Sequence, residues 1–284
     1  MPIAAFNRRM LLARVAAPVL LVRRAKAAPV TFKAAEVEEF LRTAKVRKTK
    51  STRVGITAPT RAVMTRSNIT HDAHIQTVDE SKTMYQTSQG TEWNFRDSWR
   101  FNVAAYHLDQ MLGLNMVPPS IERSYRGNSA AFTWWIAGAM MEVDRTKKKM
   151  EPPDVDRFNA QTHIVRVFDQ LIFNTDRNLQ NLLIDRDWNL WMIDHTRAFR
   201  MLKDLREPKN LVRCERRLLG ALRALSGSPL QERTENYLTS PERDGLLARR
   251  DKIVTMYEDM IRERGEGDVL YDLPTRTAIY SIAR

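Results

Sequence analysis

The sequence predicts an α+β chain in two lobes, and three observations carry that reading. Up to about residue 136, short apolar runs alternate with turn signals, as in a small antiparallel sheet. From Pro152 onward the apolar spacing is mainly helical. The polar stretch Asn174 to Phe199, NTDRNLQNLLIDRDWNLWMIDHTRAF, belongs to neither pattern and gathers the residues richest in chemistry.

Thr31 to Thr43 reads as a short amphipathic helix through Phe32, Val37, Phe40 and Leu41. Three strands follow, at about Thr52 to Thr57, Ala62 to Arg66 and Ala73 to Asp79, with Thr57-Ala58-Pro59-Thr60 turning the first into the second. Ser81 to Glu92 is polar without periodicity and reads as a mobile loop. Asp97 or Ser98 then caps a helix running to Leu112, with Phe101, Ala104, Ala105, Leu108 and Leu112 on one face and Gly113 as its stop. Ile121 to Tyr125 and Ala130 to Ile136, joined by Arg126-Gly127-Asn128, make a second hairpin.

The second lobe opens with a helix that is apolar over most of its girth, through Val155, Phe158, Ile164, Val165, Phe168, Leu171 and Ile172. Two further helices are predicted at about Leu211 to Leu225 and Pro241 to Arg264, the latter with Ser240 as cap and Gly265 as stop. Trp188 and Trp191 are expected to pack against these helices. Residues 1 to 30 stand apart: Arg8 and Arg9 precede the apolar run Met10 to Val22, and Ala25-Lys26-Ala27 offers a small-x-small site. This resembles a secretory signal peptide, with an amphipathic surface helix or a free tail as alternatives, so the chain is read as exported or membrane-associated through residues 1 to 27, or else cytoplasmic.

The 284 residues are 43% hydrophobic and 28% charged, enough to bury a core. The single cysteine, Cys214, excludes an intrachain disulfide and any cysteine-based zinc site, and its LVRCERRLL context reads as helical. A formal charge of +12, from 46 Lys plus Arg against 34 Asp plus Glu, favours anionic partners such as nucleotides or an anionic membrane surface. The basic runs Lys45 to Lys50 and Arg145 to Lys149 lack interleaved aromatics and read as solvated surface, which argues against nucleic acid.

Within the central stretch, Leu182-Leu183-Ile184 and Leu190-Trp191-Met192-Ile193 flank the tetrapeptide Arg186-Asp187-Trp188-Asn189, a hairpin signal. A four-residue loop sets residue 182 against 193 and Asn181 beside Asp194. Asp176 lies on the irregular segment before it and can fold back to the same end. Three oxygen-bearing side chains thus converge, the donor type that Mg2+ prefers.

The D-x4-N-x12-D spacing resembles the catalytic and metal-binding loops of the atypical protein-kinase-like superfamily, which includes phosphatidylinositol 3- and 4-kinases, HipA toxin kinases and secretory-pathway kinases. The I-D-H-x-x-A-F run at Ile193 to Phe199 is most similar to type II phosphatidylinositol 4-kinases, and Asn102 to Pro119 resembles the small-lobe helix of the class. The resemblance implies a bilobal kinase-like fold, with residues 31–141 as the small lobe, 142–284 as the large lobe and ATP between them. It implies that Asp176 is the catalytic residue acting on the acceptor hydroxyl, that Asn181 and Asp194 hold Mg2+, and that Trp135 and Ile136 open the hinge against which adenine stacks. Asp169 either braces the catalytic loop or is an exposed or salt-bridged residue, and Arg177 is expected to tie the loop. The strand lysine and helix glutamate that hold ATP phosphates in kinases fall at Gln76 and Asn102. Lys48, Lys50 and Lys82 are candidate substitutes. Two functions follow: an ATP- and Mg2+-dependent phosphotransferase to a protein, lipid or small-molecule hydroxyl, or a pseudokinase that binds nucleotide without efficient transfer.

Overall fold

The computed structural model describes residues 31–51, 60–87, 90–277 and 279–282. Its first half is built on a five-stranded antiparallel sheet of β2 (Lys45–Ser51), β3 (Thr60–Arg66), β4 (Ile69–Gln76), β7 (Ser120–Tyr125) and β8 (Asn128–Trp134), in the order β2-β3-β4-β8-β7. Two tight turns set the register. Ser67 takes a left-handed φ of 51° between Arg66 and Ile69. Arg126 and Gly127 take φ of 53° and 86°, the pair of positive values that a two-residue hairpin needs.

Several sequence expectations are corrected here. The basic run at 45–50 is strand β2, because Val46 and Thr49 turn inward across a bulge while the lysines stay out. The strand expected at Thr52 to Thr57 lies outside the described residues. Asn128 begins β8 instead of ending the turn, and β4 starts at Ile69, four residues earlier than expected. The polar segment at 81–92 is no loop: β5 (Asp79–Thr87) pairs with β6 (Gly90–Ser98) in a long hairpin. Its threonines and aromatics suit a pleated surface, and Tyr85 stacks on Phe95 at 4.2 Å.

One sheet face, carrying Ala62, Met64, Ala73, Ile75 and Phe132, packs on α1 (Ala34–Thr43) through Val37, Phe40 and Leu41. Beside α1, β1 (Thr31–Lys33) pairs with β14 (Ile279–Ser281). The other face turns toward α2 (Arg100–Leu112), where Val103 and Trp99 meet Ala131. Trp99 stands at the N-cap of α2 without a side-chain bond of its own: Asp97 pairs with Arg197, and Ser98 Oγ donates to Asp79 and accepts the N–H of Arg100, the first helix residue, at 3.3 Å, while Gly113 ends the helix in the left-handed region as expected. Most of α2 belongs to the larger core. Phe101, Ala104, Ala105, Leu108 and Leu112 pack with Val165, Phe168 and Leu171 of α4 (Val155–Leu171), and with α5 (Arg216–Ala224), α6 (Gly227–Thr234) and α7 (Ser240–Arg264).

After β8 the chain runs through β9 (Met140–Met141) and α3 (Glu142–Lys147) to α4, which Asp154 caps by accepting from Arg157 N–H at 2.9 Å. β9 joins β10 (Leu182–Ile184) and β11 (Leu190–Met192) in a small sheet beneath the larger one. Cys214 is not helical: it lies on β12 (Cys214–Glu215), parallel to β13 (Leu270–Tyr271), and burial pushes its thiol up to about 12. α5 therefore starts five residues later than expected, capped by the Glu215 carboxylate. Thr239, not Ser240, caps α7 in a reciprocal box with Glu242. The short α8 (Glu266–Val269) follows Gly265.

Candidate active site

The site is assembled around one guanidinium. Asp169, in the last turn of α4, accepts from Arg177 Nε at 2.9 Å and Nη2 at 3.0 Å, and from Asn174 Nδ2 at 2.9 Å. Arg177 Nη1 donates to the carbonyls of Asn181 at 2.5 Å and Ile193 at 2.9 Å. Its Nη2 also lies 3.1 Å from His195 Nε2. An arginine only donates, so Nε2 accepts and the imidazole carries its proton on Nδ1. Burial, with Arg177 beside it, holds His195 neutral by lowering its pKa well below the ordinary value. Asp169 is thus salt-bridged, and through its partner Arg177 it is joined to the 174–181 loop and the end of β11.

The hairpin register differs by one residue from expectation. Leu182 pairs with Met192 and Asn181 lies opposite Ile193, around a five-residue loop. The cause is Asp185, whose Oδ1 accepts the N–H groups of Asp187 and Asn189, both at 2.9 Å, and so draws the last residue of the expected strand into the turn. Asp194 is the next residue out and takes a left-handed φ of 54°, which turns the chain away from the strand. Thr196 Oγ1 donates to its carboxylate at 3.1 Å.

Asp176 is half-buried on the loop that Thr175 ties to the Arg197 carbonyl. Burial raises its pKa; the Arg197 charge and a hydrogen bond from Asn178 oppose, while Asp194 and Asp97 add to the rise. Asp176 and Asp194 thus sense each other's charge. Asn181 Nδ2 donates to the Asp176 carbonyl at 2.9 Å, and its Oδ1 has no partner among the described residues. Asp194 and the Asn181 oxygen offer the hard-oxygen chemistry that suits a cation completed by phosphate oxygens and water, with the Asp176 carboxylate on the neighbouring loop. No group of three or more His, Cys, Asp or Glu among the described residues forms a cage by itself.

The amides expected to replace the ion pair are both engaged by backbone. Gln76 is buried, and its Oε1 accepts from Thr77 N–H at 3.0 Å and Val78 N–H at 3.1 Å. Asn102 Oδ1 accepts from His195 N–H at 2.8 Å, so α2 fixes the residue that follows Asp194. Sequence reasoning missed His74, which shares the face of Gln76; burial lowers its pKa and the charge of Asp194 works against that. It also missed Arg61, which bonds Asp72 at 2.6 Å and lies 4.2 Å over the Trp135 ring. Trp135 N–H donates to the Asp72 carbonyl, and Ile136 packs against the small core. The pairing Lys50↔Arg61↔His74 puts the cations of Lys50 and Arg61 in one row with the His74 imidazole on the same face of the sheet, with Lys48 in the neighbouring row. Lys82 sits elsewhere, paired with Glu80 at 2.9 Å on the β5–β6 hairpin. Only strand alternation could have shown the row, and it needed β2 to be placed correctly.

Beyond Thr175, the β5–β6 hairpin and the segment 197–202 enclose a cavity of about 980 Å³. Lys82, Arg96, Arg197, Arg200 and Arg206 line it against Glu92 and Glu242, and Trp93, Met201 and Leu202 stand exposed at its rim.

No protein-family model and no curated protein matches the chain. Solved structures do. A Golgi casein kinase with Mn and ADP bound superposes with a TM-score of 0.57 at 13% identity, covering 88% of this chain and 80% of that one. A second structure of the Golgi casein kinase gives 0.57 at 13% identity, covering 87% and 78%. The proinflammatory kinase CtkA of Helicobacter pylori gives 0.52 at 10% identity, covering 80% and 98%. At such identities the likeness is one of fold, and the chain has the bilobal α+β fold of the atypical protein kinases.

Proposed function

We propose that this protein is an ATP-dependent phosphotransferase of the atypical kinase class, with a small lobe spanning residues 31–141 and a large lobe from 142. The observation that carries the reading is the Arg177 clamp, because one side chain joins the loop bearing Asp176, the strand end bearing Asn181 and the turn bearing Asp194. In transfer, an acceptor hydroxyl attacks the γ-phosphorus of ATP and the bond to the bridging oxygen of ADP breaks. Asp176 takes the hydroxyl proton, a role for which its raised pKa suits it. Asn181 and Asp194 hold Mg2+, which neutralises charge on the phosphates when bound. Lys48 and Lys50 stand on the cleft face to meet the phosphates in place of a strand lysine. The acceptor, a protein, lipid or small-molecule hydroxyl, reaches Asp176 from the cavity beside Thr175. Secretory-pathway kinases offer a functional analogy, supported by the Golgi casein kinase that carries Mn and ADP and in keeping with export through residues 1–27.

A second reading, the pseudokinase, is favoured by one observation: Gln76 and Asn102 carry no charge, and backbone N–H groups engage both amide oxygens. Thermal shift and γ-phosphate transfer measured together decide between the two. Stabilisation by ATP should require Mg2+ and vanish in Asp194→Ala, whereas Asp176→Asn should keep the shift and lose nearly all transfer. A metal-independent shift of equal size in Asp194→Ala overturns the nucleotide site; a normal shift without transfer in the parent chain establishes the pseudokinase.

A further inference from the structure

The face of the five-stranded sheet that turns away from α1 carries a row of polar side chains, Lys50, Arg61, His74, Thr133 and Ser120, one from each strand. α2 packs on that same face. Gln76, two residues after His74, pairs with Ala131, which meets Val103 and Trp99. Asn102 of α2 in turn holds the N–H of His195, the residue after Asp194. His74 therefore stands on the side of the sheet where Asp194 lies, and the charge of Asp194 bears on its imidazole.

The neighbours of His74 are engaged. Arg61 is held by Asp72 and lies over the Trp135 ring, and the hydroxyls of Thr133 and Ser120 bond each other at 2.8 Å. Gln76, at the position expected for the strand lysine of kinases, turns its oxygen to the N–H groups of Thr77 and Val78. His74 makes no hydrogen bond among the described residues. It is half-buried: protein surrounds it closely enough to lower its pKa, while part of its surface stays open to a ligand. In either protonation state an imidazole has a ring N–H to donate, and what this one lacks is an acceptor. Phosphate oxygens are acceptors, and Asp194 is where the proposed metal would bring them.

We infer that His74 is a phosphate-binding residue, its ring N–H donating to a non-transferred phosphate of a nucleoside di- or triphosphate, the duty that a strand lysine performs in protein kinases. This rests on the nucleotide site proposed above.

Titration calorimetry of the full chain with ADP and with adenosine, both in Mg2+, tests it. The parent should bind ADP more tightly than adenosine. His74→Leu fills the space without a donor and should weaken ADP about tenfold or more, the loss of one hydrogen bond to a charged group, while leaving adenosine within twofold. His74→Gln keeps an N–H donor and should regain most of the ADP affinity. Equal loss of ADP and adenosine in His74→Leu would make the residue structural, and unchanged ADP affinity would remove it from the phosphates; either overturns the inference. The nucleotide site itself still stands in those cases if ADP binding by the parent needs Mg2+ and is lost in Asp194→Ala. A parent chain that binds ADP no better than adenosine overturns both together.

Discussion

Asp176 illustrates how a single side chain trades stability for chemistry. Its carboxyl holds a proton to higher pH in the folded chain than in the unfolded one, because burial and the charge of Asp194 outweigh Arg197. Above the folded value the ionised group therefore costs stability; below the ordinary carboxylate range both states are protonated and the cost disappears. Asp176→Asn should thus melt higher than the parent near neutral pH, with the gap closing below about pH 4. A gap that persists in acid would assign the effect to packing. Arg177 carries the opposite sign: Arg177→Met leaves Asp169 buried without its partner and should cost about 3–5 kcal/mol by denaturant unfolding. The candidate residues 176, 181 and 194 can be picked out of the sequence because they lie along one short stretch, which the Arg177 contacts then hold together. Arg61 and His74 cannot, since their place depends on pairing between strands distant in sequence.

At the scale of the element, Asp185 and Gly245 decide where functional segments lie. Asp185→Ala removes four accepted hydrogen bonds and should cost about 2 kcal/mol or more. Any slip of the hairpin toward a four-residue loop would then appear in hydrogen exchange at Met192 and Ile193. Gly245 lies inside α7, where alanine normally gains about 1 kcal/mol of helix propensity. A Cβ there would come within 2.8 Å of the Met201 carbonyl, so Gly245→Ala should instead destabilise by about 1–3 kcal/mol and shift the segment lining the cavity under the β5–β6 hairpin. A gain in melting temperature would mean that the segment at 200–202 yields freely. The turns of β7–β8 and the stop of α2 were legible because glycine marks them locally. The β5–β6 hairpin was not: its polar, alternating residues carry no apolar face, and only the Tyr85 stack on Phe95 and the pairing with its partner strand mark it as strand. The start of α5 escaped for a related reason, since Cys214 is claimed by a strand partner 56 residues away.

For the whole molecule, the charge of +12 and the exposed cations of Lys48, Lys50 and Arg61 on one face of the sheet should make the proposed nucleotide binding sensitive to salt. Exposed charges are screened over about 10 Å at 0.1 M salt. Affinity for ATP should therefore fall severalfold between low and high salt, and Lys48→Ala or Lys50→Ala should flatten that dependence; an unchanged slope in both would place the phosphates elsewhere. Restoring the missing ion pair should respond at the same scale, with Gln76→Lys plus Asn102→Glu binding ATP more tightly than either single change. The two-lobed plan was legible from the change of periodicity at residue 152, but the allegiance of α2 was not, because an amphipathic helix does not announce which core it enters. Protein kinases switch on and off by moving their small-lobe helix. Here Phe101, Leu108 and Leu112 of that helix are fixed in the core of the larger lobe, and drawing each one into water would cost roughly 2 kcal/mol. Leaving that seat is costly for the helix. If the proposed transfer is what the chain does, its output would follow from how many copies a cell makes and keeps, as with a metabolic enzyme, and not from a signal that rearranges each copy.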